Sequence, residues 1–160
     1  MKNILILCTG NSARSILAET LFNFYAQGRI RAYSAGSRPA GKVHRLALSV
    51  LQKKNCDLTN VRSKSWDEFA LPDAPQMDIV ITVCDSAASE ACPIWPGSPV
   101  RTHWGLPDPA AIEDPDQGAI AFETTAKALE TSIRAFFEAG GAEANHQDTK
   151  LILERTKPQL

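Results

Sequence analysis

The chain has 160 residues, of which 44% are hydrophobic and 22% charged, with a formal net charge of −1. That length suits one well-buried domain and is short for two, and the composition is globular rather than disordered or membrane-spanning. Lysines and arginines are scattered along the chain rather than run together, which argues against a nucleic-acid partner.

The apolar run Ile4–Leu7 is followed at once by Cys8, Thr9, Gly10 and Asn11. It is too short for the core of a secretion signal, and no later stretch approaches a membrane span. A cytoplasmic protein is expected. Four cysteines in that compartment do not form a disulfide framework, and none stands at zinc-binding spacing with histidine. Reactive or packed thiols remain, and no metal or organic cofactor is implied.

Residues 3–8 read as a buried parallel strand bounded by Gly10. Residues 14–27 read as a helix, with Leu17, Leu21, Phe24 and Tyr25 on its inner face and Gly28 as its stop. A second strand runs from Ile30 to Gly36. Helical spacing of Val43, Leu46, Ala47, Val50 and Leu51 predicts a helix over 43–54. The apolar run in 78–84 predicts a central strand, 100–104 a weaker one, and 118–137 a long helix closed by Gly140 and Gly141. Strand and helix alternate, so a parallel α/β sheet with helices on both faces is expected. The stretch 141–160 is the least readable, and Leu151, Ile152 and Leu153 leave it open between docking and fraying.

The chemistry concentrates where the first strand meets the first helix. In an open parallel sheet, ligands bind at the carboxyl ends of strands. The N–H groups of Thr9, Gly10, Asn11, Ser12, Ala13 and Arg14 are placed to form an oxyanion-binding nest, reinforced by the helix N-terminus. The Arg14 side chain adds a planar fork for two oxygens. A thiol at the mouth of such a nest is favoured as the thiolate. Cys8 is therefore the expected nucleophile, Ser15 a hydrogen-bond donor to its sulfur, and Asn11 the residue that takes the loop through a left-handed turn. The plain alternative is a tight turn around an inert cysteine.

The run Cys8-Thr9-Gly10-Asn11-Ser12-Ala13-Arg14-Ser15 resembles the signature of the low-molecular-weight protein tyrosine phosphatase superfamily. Tyr33-Ser34-Ala35-Gly36, the strand in 78–84 and Asp108-Pro109 follow in matching order. The resemblance reaches to about Phe137. It implies a three-layer fold with a four-stranded parallel sheet of flavodoxin-like type, a catalytic domain over 1–140 and a C-terminal tail over 141–160. It also implies Asp108 as general acid.

Both phosphatases and arsenate reductases are built on this scaffold. Phosphatases of the family usually place aromatic residues after the Asp-Pro pair, whereas Ala110 and Ala111 follow it here, and Trp104-Gly105 precedes it. This resembles the reductases, whose bare oxyanion needs no aromatic wall. Cys84 and Cys92 lie where similar reductases carry their second and third redox cysteines. Reduction of arsenate takes two electrons, which thiols supply by forming a disulfide.

The resemblance thus implies attack by Cys8, an internal Cys8–Cys84 disulfide, and transfer through Cys92 to thioredoxin. Cys84 and Cys92 stand one residue further apart than in those relatives. If helical, 84–92 would hold their Cα atoms about 12 Å apart, so the segment must be looped or must unwind. A glutaredoxin-, glutathione- or mycothiol-coupled variant stays open, as do a phosphatase and a non-catalytic oxyanion-binding module. Cys56 reads as a packed thiol, His44, His103 and His146 as structural or solvated, and Trp66, Trp95 and Trp104 as packing residues. Asn11, Glu19 and Ser34 match positions that help bind potassium in some similar reductases. Lys64 replaces the completing carboxylate, so no bound cation is expected.

Overall fold

The structure, a computed structural model, describes residues 1–90 and 93–160. Among the described residues, four parallel strands form one sheet: β1 (Lys2–Cys8), β2 (Ile30–Gly36), β3 (Ile79–Thr82) and β4 (Val100–His103), in the order β2-β1-β3-β4. They are accompanied by the α-helices α1 (Arg14–Ala26), α2 (Arg45–Lys53), α3 (Asp85–Ser89), α4 (Pro115–Glu138) and α5 (His146–Arg155). Among the described residues, no helix is long and apolar enough to cross a membrane.

Strand side chains alternate between two buried layers. Ile4, Ile6, Ile79 and Ile81 share a core with Leu17 and Leu21 of α1, Leu51 of α2, Phe122 and Leu129 of α4 and Leu153 of α5. Leu5, Leu7 and Val80 point the other way, against Phe69, Met77 and Trp95. The two covers are unequal. The second is made by the 3₁₀ turn Trp66–Phe69 and irregular chain, because Pro72 and Pro75 interrupt regular structure there.

Helix α1 lies so deep that Ser15 through Phe22 are all buried. Phe22, not Phe24, supplies its aromatic anchor, with centroids 5.9 Å from Trp104 and 5.8 Å from Phe136. Phe24 is exposed, contrary to the inner-face expectation. It lies on the last turn and packs edge-on against Tyr25 instead. Helix α4 starts at Pro115, earlier than its apolar period suggests, since Asp114 caps it by accepting from the Gln117 amide at 2.8 Å.

Both sheet edges are partly covered. On β2, the Asn23 amide group accepts from the Ala32 N–H and donates to its carbonyl, and the Gly36 amide donates to the Lys64 carbonyl. On β4, Thr102 donates to Glu154 of α5, and the Trp104 indole donates to the Leu153 carbonyl at 3.1 Å. The stretch beyond Gly141 docks against β4 as helix α5.

Candidate active site

Cys8 is the last residue of β1 and Arg14 the first of α1, so the loop 9–13 spans strand end to helix start. Asn11 takes the left-handed conformation, with φ 46°. The loop's carbonyls face outward to a ladder of amides: Arg38 donates to Thr9 at 3.0 Å, Ala40 to Gly10 at 2.9 Å and His44 to Ser12 at 2.9 Å. With these carbonyls turned away, the N–H groups are left for the concave side. Ala13, at the N-cap of α1, brings no side-chain acceptor to the helix's first amides. The result is a cradle suited to an oxyanion.

Gly36 makes this ladder possible. A Cβ there would lie 2.3 Å from the Thr9 carbonyl oxygen, so any larger residue would push the loop off β2. The sequence marks Gly36 as a strand end, but its contact with the loop is non-local.

A buried polar network fixes the Cys8 sulfur. The Asn11 amide N–H reaches Cys8 Sγ at 3.2 Å, and the Asn11 side chain donates to Ser15 Oγ at 2.8 Å and Ser34 Oγ at 2.9 Å. Since Ser15 Oγ accepts from Asn11, its own proton is free to point at Cys8 Sγ, 3.0 Å away. Ser34 donates to Glu19 at 2.6 Å, and the Lys64 amide donates to Asn11 Oδ1 at 2.9 Å. Lys64 Nζ stands 3.8 Å from Glu19 Oε1, with both side chains almost wholly buried. Burial pushes the Glu19 carboxyl up and the Lys64 ammonium down, and their mutual attraction opposes both shifts. The ammonium thus lies beside Glu19, as the sequence placed it.

Arg14 links the cradle to the loop after β4. It donates to the Leu106 carbonyl at 2.9 Å, and its other terminal nitrogen lies 3.7 Å from Asp108 Oδ2. A guanidinium has five N–H donors, so further donors are available to a bound oxyanion. Asp108 is exposed and caps a short turn through the Ala110 amide at 3.0 Å. The Leu106 carbonyl, which orients Arg14, carries no side-chain signal in the sequence.

Cys84 comes to the same place from β3. It is buried, and its sulfur accepts the Ala87 amide of α3 at 3.3 Å. It also lies 3.7 Å from the Thr9 hydroxyl. The strand expected over 78–84 therefore ends at Thr82, because Cys84 serves as a helix cap. Helix α3 stops at Ser89, and Glu90 is extended, so 84–92 is not one continuous helix. Cys92 itself lies outside the described residues. Glu90 was not anticipated; its carboxylate accepts from Thr9 Oγ1 at 3.1 Å.

The remaining residues take quieter roles. Cys56 is partly buried against the core, and burial pushes its thiol up. His44 caps α2 and stacks on Phe122, His103 bridges Thr82 and Asp85, and His146 touches the Ser98 carbonyl. Trp95 and Trp104 are buried, and Trp66 is partly so.

The chain is similar to known proteins over most of its length. An arsenate reductase of Bacillus anthracis is 37% identical over 139 residues, covering 87% of this chain and 96% of the relative. The thioredoxin-dependent arsenate reductase of Corynebacterium glutamicum superposes with a TM-score of 0.62 at 24% identity, covering 86% of this chain and 61% of that one. A low-molecular-weight protein tyrosine phosphatase from T. tengcongensis superposes with a TM-score of 0.67 at 24% identity, covering 86% and 99%. The family model for low molecular weight phosphotyrosine protein phosphatase matches residues 3–148, and the chain belongs to that family.

Proposed function

We propose that this chain is a thiol-dependent arsenate reductase. The observation that carries the reading is the second thiol: Cys84 is buried 3.7 Å from Thr9, on the loop that begins at Cys8. Hydrolysis of a phosphate ester needs one cysteine, whereas reduction of arsenic(V) needs a second electron-donating thiol at hand. The names of the curated relatives support the same reading.

In this scheme the loop amides of residues 9–14 and the Arg14 guanidinium hold arsenate against Cys8. The Cys8 thiolate attacks arsenic, and Asp108 protonates the departing hydroxide, which leaves as water. Ser15 and the Asn11 amide stabilise the sulfur before attack. Cys84 then attacks Cys8 Sγ. The sulfur–arsenic bond breaks with its electron pair going to arsenic, so arsenite departs and a Cys8–Cys84 disulfide remains. Cys92 relays that disulfide to thioredoxin, or a glutaredoxin or small thiol reduces it directly. Such a cycle fits the cytoplasm, where thiols are kept reduced.

The test measures arsenite formation with thioredoxin, glutaredoxin and small-thiol systems beside hydrolysis of a small aryl phosphate. Cys8→Ser is expected to abolish both. Cys84→Ser is expected to abolish arsenate turnover while any slow aryl phosphate hydrolysis survives. Unchanged arsenate reduction by Cys84→Ser would remove the internal-disulfide mechanism, and strong aryl phosphate hydrolysis would then favour a phosphatase.

A further inference from the structure

Cys84 enters the reaction as a nucleophile, so its proton must leave, and the sulfur is buried. Hydrogen-bond directions around Thr9 indicate where it goes. A carboxylate only accepts, so the Thr9 hydroxyl must spend its single proton on Glu90, 3.1 Å away. Its oxygen is then an acceptor toward Cys84 Sγ at 3.7 Å, and the thiol is the donor in that contact. The sulfur meanwhile accepts the Ala87 amide at 3.3 Å, a contact that strengthens as negative charge grows on it. Thiol, hydroxyl and carboxylate therefore form a chain with one polarity, running from Cys84 through Thr9 to Glu90.

We propose that Glu90 is the proton acceptor for Cys84, acting through the Thr9 hydroxyl. The proposal rests on the reductase reading and adds to it the base for the second step. As Cys84 Sγ attacks Cys8 Sγ, its proton passes to Thr9 Oγ1, and the Thr9 proton passes to Glu90. The sulfur–sulfur bond forms, the sulfur–arsenic bond breaks, and arsenic takes the electron pair. Glu90 ends the step as a carboxylic acid and returns its proton to solvent. Among the described residues, the other titratable groups nearby are Cys8 across the loop and Asp85, which is engaged by His103 Nε2 at 3.0 Å. That engagement turns Asp85 toward His103 and leaves Glu90 as the carboxylate in contact with Thr9.

The test is single-turnover formation of the Cys8–Cys84 disulfide in a Cys92→Ser background, followed by quenching and mass spectrometry across a range of pH. Glu90→Gln keeps an oxygen that accepts from Thr9 but cannot take a proton. Its disulfide step is expected to fall by about 10²-fold or more near neutral pH. The rate should recover in alkali, where hydroxide replaces the lost acceptor. Thr9→Ser should keep the step, and Thr9→Val should lose it in the same pH-dependent way. A parallel arm oxidises Cys8 with one equivalent of peroxide, so that Cys84 displaces hydroxide from the sulfenic acid without arsenate. A Glu90→Gln protein with a wild-type rate and pH profile in both arms would overturn the proposal. If Cys84→Ser reduces arsenate normally, the internal-disulfide mechanism fails, and the peroxide arm still decides the role of Glu90.

Discussion

At Asp108 the two carboxylate oxygens have separate surroundings. Oδ1 holds the Ala110 amide and Oδ2 faces Arg14 at 3.7 Å. Asp108→Asn preserves the shape and can keep the turn, but it has no acidic proton to give. Turnover is therefore expected to fall by about 10²–10⁴, with inhibition by phosphate largely retained. Steady-state rates and phosphate inhibition measured on the same variant check this, and equal turnover would assign the proton to another group. The place of Asp108 beside Arg14 agrees with the resemblance, whose Asp-Pro context is local. Ser15 and Asn11 were legible because their loop signature is local. Ser34 and Lys64, which complete the Asn11 network from far along the chain, were grouped with it only through the family resemblance, and the Arg38, Ala40 and His44 amides carry no side-chain signal. Glu90 escaped notice because nothing in sequence spacing joins it to Thr9.

Elements with a strong internal period were readable, and elements defined by tertiary partners were less so. Strand β1 and the start of α1 coincide with the sequence reading, since an apolar run and a loop signature mark them. The end of β3 does not, because Cys84 changes from strand residue to helix cap only when α3 forms behind it. Helix α5 has a short apolar run but is secured by polar contacts. Glu154 accepts from Lys157 at 2.6 Å and from Thr102 of β4 at 2.7 Å, and Lys150 lies 3.1 Å away. The bonds from Lys157, then Thr102, hold the Glu154 pKa down to about 2 from an ordinary 4.5. For a carboxylate depressed on folding, the stabilisation is present above the unfolded value and is lost as pH falls through the folded one. The Glu154 side chain is 39% exposed, so solvent screening limits the effect to local docking rather than global unfolding. Amide exchange in α5, corrected for its intrinsic pH dependence, is expected to quicken selectively between about pH 5 and about pH 2. Glu154→Gln should exchange faster at neutral pH and lose that selective response. An α5 whose protection in acid matches that of α4 would show that the apolar contacts alone hold it.

At the scale of the whole molecule, the cradle is assembled from segments far apart in sequence. Residues 8–15 form it, Gly36 to His44 and Lys64 brace it, and Leu106 and Asp108 position its arginine. The unfolded chain has no such arrangement, so an oxyanion that binds the cradle binds only the folded state. Occupancy then adds to global stability by mass action. Phosphate at about 100 times its dissociation constant contributes about 2.7 kcal/mol. For a domain of this size, each kcal/mol raises the melting temperature by roughly 2–4 °C. Thermal unfolding in saturating phosphate is therefore expected to shift upward by about 5–11 °C. Phosphate is the suitable probe because it is a tetrahedral oxyanion like arsenate and does not oxidise the cysteines. Arg14→Ala removes the forked donor and should lose most of the shift, whereas Cys8→Ser, which leaves the loop amides and Arg14 in place, should keep it. Lys53→Ala, on an exposed ion pair with Glu123, serves as the charge-matched control and should melt with the full shift. A shift of the same size in Arg14→Ala would mean that phosphate stabilises the chain at some place other than the Cys8 loop.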